Sequence, residues 1–129
     1  MAKGSTSGGG RTIAQLLTAI RKLPSDPPME RPGIWYTTQK QHWLGWLRED
    51  NGPGAYGRTN CRRDAKFVYN HIVNPYMLLW LMDAAGLSRT LVRKASRAAA
   101  AASRSSLQTQ ARAVRRHVPW PVVEQALWR

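Results

Sequence analysis

The sequence predicts an all-α fold, a compact bundle of about six or seven short helices behind a flexible N-terminal lead. Apolar residues recur in segment after segment at the three- and four-residue spacing of a helix face. No stretch alternates apolar and polar residues with the period of two that a half-buried strand needs. Prolines, glycines and small polar residues fall between the periodic segments, where they start or stop helices.

Residues 1–11, which include Gly4-Ser5-Thr6-Ser7-Gly8-Gly9-Gly10, read as a disordered lead or an expression scar. A single helical domain is expected over 12–129. Its first helix covers 12–23, with Ile13, Leu16, Leu17 and Ile20 on one face. Pro24 ends it, and Pro27, Pro28 and Pro32 hold the next residues extended. A second helix is expected over 38–49. Thr38 and Gln41 have the spacing of a capping box, and Trp43, Trp46 and Leu47 form the apolar face. Trp35 and Tyr36 precede it as anchors to the same core. The loop from Asp50 to Arg58 takes its turns at glycine.

The third helix, 63–73, carries Ala65, Val68, Tyr69 and Ile72 on one side. Asn74-Pro75 pairs a good N-cap with a first-turn proline, and the fourth helix runs from there to Ala85. Residues 77–82 are apolar all round, so this helix should be central and buried, or half of a homodimer contact. Gly86 suits the left-handed position that stops a helix. Ser88 can cap a fifth helix over 88–103, and a sixth covers 107–116. At ~100° per residue, Leu91, Val92, Ala95 and Ala99 centre about 110° away from Leu107, Ala111 and Val114. One straight helix could not bury both sets against one partner, so a break at Ser103-Arg104-Ser105-Ser106 is predicted. Pro119-Trp120-Pro121 opens a last short helix through Val122, Val123, Ala126 and Leu127, with Trp120 and Trp128 docking back on the core.

Charge is the strongest functional signal. The chain has 129 residues, 43% of them hydrophobic, a formal charge of +13 and a pI near 11.3. The hydrophobic content is enough for one folded domain. The charge repels itself in the compact state and attracts polyanions. Between Asp83 and Glu124 there is no acidic residue, while Arg89, Arg93, Lys94, Arg97, Arg104, Arg112, Arg115 and Arg116 fall within the basic helices of 88–117. Arg89, Arg93 and Arg97 recur at four-residue intervals on one helix face with Lys94 beside them, a repulsion left without internal compensation. Arginine outnumbers lysine here seven to one, and its planar fork suits phosphate oxygens and base edges.

Residues 78–97 also have helix–turn–helix spacing: an apolar helix, Ala85-Gly86-Leu87 as the turn, then Ser88-Arg89-Thr90-Leu91-Val92-Arg93-Lys94. In such a motif Arg89, Thr90, Arg93, Lys94 and Arg97 would face the major groove. The same order of residues also joins two ordinary helices. The expectation is a nucleic-acid-binding module, with DNA ahead of RNA, contacted by Arg89, Thr90, Arg93, Lys94, Arg97, Arg104, Arg112, Arg115 and Arg116. Secondary phosphate contacts are expected from Arg58, Arg62 and Arg63, beside the glycines of the 52–58 loop. That loop lacks the Gly-x-x-x-x-Gly-Lys-Ser/Thr pattern, which leaves an ordinary surface loop as the simpler reading.

Catalytic chemistry is poorly provided for. His42, His71 and His117 are scattered and Cys61 is the single cysteine, so no zinc-ligand spacing exists and no metal or cofactor is expected. Asp64 and His71 stand two turns apart on one helix. An enzyme built from Tyr56, Arg58, Asp64 and His71 would need those side chains to converge. The six tryptophans could stack bases, although at helical spacing Trp43, Trp46 and Trp80 are more simply core. The longest apolar run falls far short of the ~20 residues that span a bilayer, no apolar signal core opens the chain, and a lone thiol forms no internal disulfide. No membrane partner is expected, and the expected compartment is the cytoplasm.

Three stretches carry a resemblance: Trp35-Tyr36-Thr37-Thr38-Gln39-Lys40-Gln41-His42-Trp43-Leu44-Gly45-Trp46-Leu47, Gly52-Pro53-Gly54-Ala55-Tyr56-Gly57-Arg58, and Arg63-Asp64-Ala65 through Asn70-His71-Ile72. From about residue 12 onward the chain resembles small accessory proteins encoded in bacterial prophages and phages. The resemblance brings no activity and no functional residue with it. It implies a context, the cytoplasm of a bacterial host, where such proteins bind DNA or disable host defences. The alternative function is therefore an anti-defence, anti-CRISPR-like inhibitor that binds a host protein or nucleoprotein complex.

Overall fold

A computed structural model describes residues 10–25, 39–47 and 64–129. Seven helices lie within them: α1 Ile13–Arg21, α2 Gln39–Gly45, α3 Ala65–His71, α4 Pro75–Ala84, α5 Arg89–Ala101, α6 Leu107–His117 and α7 Trp120–Leu127. There is no strand among the described residues, so the chain is all-α as its periodicities require. The glycine loop at 52–58, Arg58, Cys61, Arg62, Arg63 and the Thr38 cap lie outside the described residues.

Local chemistry sets the helix starts. Thr12 opens α1 with a full capping box: its Oγ1 accepts from the Gln15 N–H at 3.0 Å, and Gln15 Oε1 accepts from the Thr12 N–H at 2.8 Å. Asp64 caps α3 by accepting from the Phe67 N–H at 2.9 Å. Asn74 caps α4 with Pro75 in its first turn, Ser88 caps α5, and Ser106 caps α6. The break between α5 and α6 falls at 102–106, and the two helices form a hairpin whose members pack closely on each other.

The centre of the bundle is α4, which packs against α2, α5 and α6. Met77, Leu78, Leu79, Trp80, Leu81, Met82 and Asp83 are all buried within this one chain. Of the two roles expected for this apolar segment, central helix or half of a homodimer contact, the structure shows the first: neighbouring helices of the same chain cover it. Trp43 and Trp80 are fully buried. Each removes roughly 200 Å² from water, worth about 5 kcal/mol before entropy is counted. Both indoles keep a hydrogen-bond partner, Trp43 donating to the Met77 carbonyl at 2.9 Å and Trp80 to the Ser25 carbonyl at 3.2 Å.

Gly86 ends α4 with φ at +87°, a conformation that disfavours any residue with a Cβ. The Gly86 N–H reaches the Asp83 carbonyl at 3.1 Å and the Leu87 N–H reaches the Met82 carbonyl at 3.1 Å, the paired bonds of a Schellman ending. Leu87 then tucks against the core. This sharp stop is followed directly by the Ser88 cap, which opens α5 against α4.

At the other end of the bundle, α7 closes over α3. The Trp120 ring lies 5.5 Å from the Tyr69 ring and 6.1 Å from Trp128, and the Arg11 guanidinium sits 4.7 Å above the Trp128 ring. The chain before α1 and the end of α7 are thereby joined.

Candidate nucleic-acid interface

Helix α5 has two opposed faces. Val92, Ala95 and Ala99 are buried, while Arg89, Thr90, Arg93, Lys94 and Arg97 are exposed. On a wheel of ~100° per residue the exposed five occupy an arc of about 140°, opposite the buried stripe. The same division holds on α6, where Gln110, Ala111 and Val114 face inward and Arg112 and Arg116 are exposed. Arg104 is exposed in the connection between the two helices. Gln110 lines one cavity with Ala99 and Ser103, so in the register of the hairpin the start of α6 lies beside the end of α5. That register sets the second half of α6, with Arg112 and Arg116, alongside the first half of α5.

Arg115 departs from this set. It lies about 60° from Arg112 and about 100° from Arg116 on the helix wheel, on the flank of α6. Its Nη1 donates to the Ile72 carbonyl at 2.6 Å and to the Tyr69 carbonyl at 3.4 Å, so its guanidinium closes the end of α3. Burial lowers its ordinary pKa, with Tyr69 opposing that shift and Arg112 adding to it. Arg115 therefore differs from the other expected phosphate contacts in that its Nη1 already serves carbonyls of its own fold.

Tyr69 forms the other half of this buried polar cluster. Its hydroxyl donates to the Val118 carbonyl at 2.5 Å. Burial pushes the phenol well above its usual range, with Arg115 pulling the other way.

Of the residues considered for catalysis, Tyr56 and Arg58 lie outside the described residues, and Asp64 and His71 sit at opposite ends of α3. Asp64 is the N-cap of α3, whereas His71 ends the same helix. The His71 ring stacks on Phe67 with centroids 3.9 Å apart, and its Nδ1 lies 2.8 Å from the Phe67 carbonyl. Each side chain thus has a local structural partner. Among the described residues no three His, Cys, Asp or Glu side chains cluster as metal ligands, and no helix is long and apolar enough to cross a membrane.

Two residues near this surface were not singled out from the sequence. Gln110, only 8% exposed, lies at the edge of the inward stripe of α6, where its wheel position places it even though its side chain is polar. Tyr76, in the first turn of α4, lines the same cavity, and no periodicity marks it. The chain matches no family model, no curated protein and no solved structure.

Proposed function

We propose that the protein is a basic helical accessory protein that binds nucleic acid, duplex DNA ahead of RNA, with α5 as the helix that meets the duplex. The observation that carries this reading is the outer face of α5, where Arg89, Thr90, Arg93, Lys94 and Arg97 are exposed together opposite the buried stripe. Nothing in the sequence between Asp83 and Glu124 neutralises them. The Gly86 stop and Ser88 cap support a helix–turn–helix-like use of α4 and α5 over 78–97. The major groove of B-DNA admits an α-helix, whereas the deep, narrow groove of A-form RNA does not, which favours DNA. Arg104, Arg112 and Arg116 supply flanking phosphate contacts. The bacterial host cytoplasm as the setting rests on the phage resemblance alone.

The test is fluorescence anisotropy of a labelled duplex across a salt series. If about five phosphates are neutralised, the slope of log K against log salt is about −4.5. Reversing the charges in Arg89→Glu/Arg93→Glu/Arg97→Glu abolishes binding. Folded protein that binds no duplex at low salt would overturn the reading and turn the search to a host protein target, sought by pull-down after nuclease treatment.

A further inference from the structure

The basic face of α5 borders a cavity of about 260 Å³ between α4, α5 and α6. Leu79 and Ala99 give it apolar walls, Tyr76 supplies an aromatic ring, and Ser96, Ser103 and Gln110 bring polar groups. Gln110 stands out chemically. It is more than nine-tenths buried, and its side chain makes one hydrogen bond, Nε2 to the Ser105 carbonyl at 3.2 Å. That bond settles the orientation of the amide, because a carbonyl oxygen accepts only from the nitrogen. The Gln110 Oε1 and the second Nε2 hydrogen have no hydrogen-bond partner among the described residues. A buried amide left in this state is unfavourable unless a ligand answers it.

We propose that this cavity receives a single nucleobase extruded from the nucleic acid that α5 binds. The inference rests on the nucleic-acid reading and adds an element of substrate choice to it. An amide that offers one acceptor beside one donor matches the polar edge of a base, which presents a donor beside an acceptor. The serine hydroxyls rotate to suit either role. The volume lies just below the ~300–1,000 Å³ of sites for drug-sized ligands, so it suits one ring system rather than a whole nucleotide. The sugar and phosphate remain outside.

The position of the mouth supports the same ligand. Ala100 and Ser103 are exposed on the cavity rim, and Ala100 lies within the angular range of Arg89, Arg93 and Arg97 on the α5 wheel. Arg104 follows Ser103 directly. A backbone tracking the arginines therefore passes the opening, where a base that has left its stack finds an aromatic wall and a matching amide.

The experiment compares three labelled duplexes at fixed salt: fully paired, with a single unpaired adenosine bulge, and with an abasic site in place of that adenine. The proteins are the full chain, Ala100→Trp, which plugs the mouth from an exposed position, and Gln110→Met, which keeps the volume and removes the amide. Circular dichroism checks that each variant is folded. The full chain is expected to prefer the bulged base over the abasic bulge by about tenfold or more. Both variants reduce that preference to under about threefold, and Gln110→Met, whose substitution lies off the basic face, binds the paired duplex as before, as loss of a single stacked base requires. Equal binding of base and abasic bulges by the full chain would overturn the base pocket and leave duplex binding by α5 standing. A preference undiminished in both variants would overturn it too, since the base would then be read elsewhere. No binding of any duplex by folded protein would overturn both readings together.

Discussion

Arg115 and Ile72 are joined by a hydrogen bond of 2.6 Å from guanidinium to carbonyl, across 43 positions of sequence. The bond ties the basic helix α6 to the C-terminal end of α3, where it supplies the Ile72 carbonyl with a charged donor. A cation at that end also complements the helix dipole. Arg115 is thus a structural residue set among candidate binding residues of the same type.

Truncating Arg115 should accordingly destabilise the fold. Arg115→Ala leaves the Ile72 carbonyl without its charged donor, a loss of about 2 kcal/mol. Arg112→Ala and Arg116→Ala, at exposed positions, stay within about 0.5 kcal/mol. Urea denaturation measures all three. Salt titration should separate them in the opposite order: each of Arg112→Ala and Arg116→Ala lowers the slope by ~0.9, and Arg115→Ala leaves it unchanged. If Arg115→Ala kept full stability and lost binding, its assignment to the end of α3 would be wrong.

Tyr69 makes the fold sensitive to alkali. Its folded-state pKa lies above the ordinary value of about 10, because burial disfavours the phenolate. Between pH ~10 and that higher value the unfolded chain releases a proton that the folded chain retains. Stability is therefore intact below pH ~10 and falls as pH rises through this window. Arg115, whose pKa is lowered by burial, acts in the opposite sense. Urea midpoints between pH 9 and 11 should fall for the wild type and stay flatter for Tyr69→Phe. That variant starts about 1 kcal/mol lower at pH 7 for want of the bond to Val118. Parallel curves for the two proteins would show that another group sets the alkaline limit.

The contrast between Arg115 and Gly86 explains what the sequence reveals. Gly86, Ser88, Asn74 and Pro75 act on backbone groups within a few residues of themselves, so their roles can be read locally and the α4–α5 junction was legible. The α5–α6 break was legible too, because the two apolar stripes could not share one helix face. The partner of Arg115 is a pair of carbonyls on a distant helix, and local periodicity carries no information about that distance. The stacking of Arg11 on Trp128 was hidden for the same reason. Gln110 was hidden differently: its wheel angle pointed inward, but its polarity suggested a surface. The outward placement of Arg89, Arg93, Lys94 and Arg97 was readable because apolar residues on the opposite side leave these side chains only solvent.

The role of Asp64 can be tested by a substitution that a catalytic carboxylate would not survive. Its side chain accepts from the Phe67 N–H at 2.9 Å, which an asparagine oxygen can do equally well. Asp64→Asn is expected to change stability by less than about 0.5 kcal/mol, and Asp64→Ala to cost about 1 kcal/mol. Thermal melts of the two variants provide the comparison. A large loss in Asp64→Asn would mean that the carboxylate charge, rather than its cap geometry, matters.

Gly86 permits a test of the junction that presents α5. A Cβ built at this position would meet no atom within 4 Å, so Gly86→Ala introduces no clash. Its whole cost is the left-handed backbone, φ +87°, which disfavours an L-residue by about 1–2 kcal/mol. Asparagine tolerates this region better, so Gly86→Asn should fall between glycine and alanine. D-alanine, introduced by semisynthesis, favours positive φ and restricts the unfolded chain, so it should raise stability by up to about 1 kcal/mol. Stability should thus rank D-alanine above glycine, then asparagine, then L-alanine in urea denaturation. Duplex affinity should stay constant across the series wherever the protein is folded, because Gly86 shapes the turn without lying on the basic face. An L-alanine variant as stable as the wild type would mean that the turn relaxes to negative φ. Any accompanying fall in duplex affinity would then report the reorientation of α5.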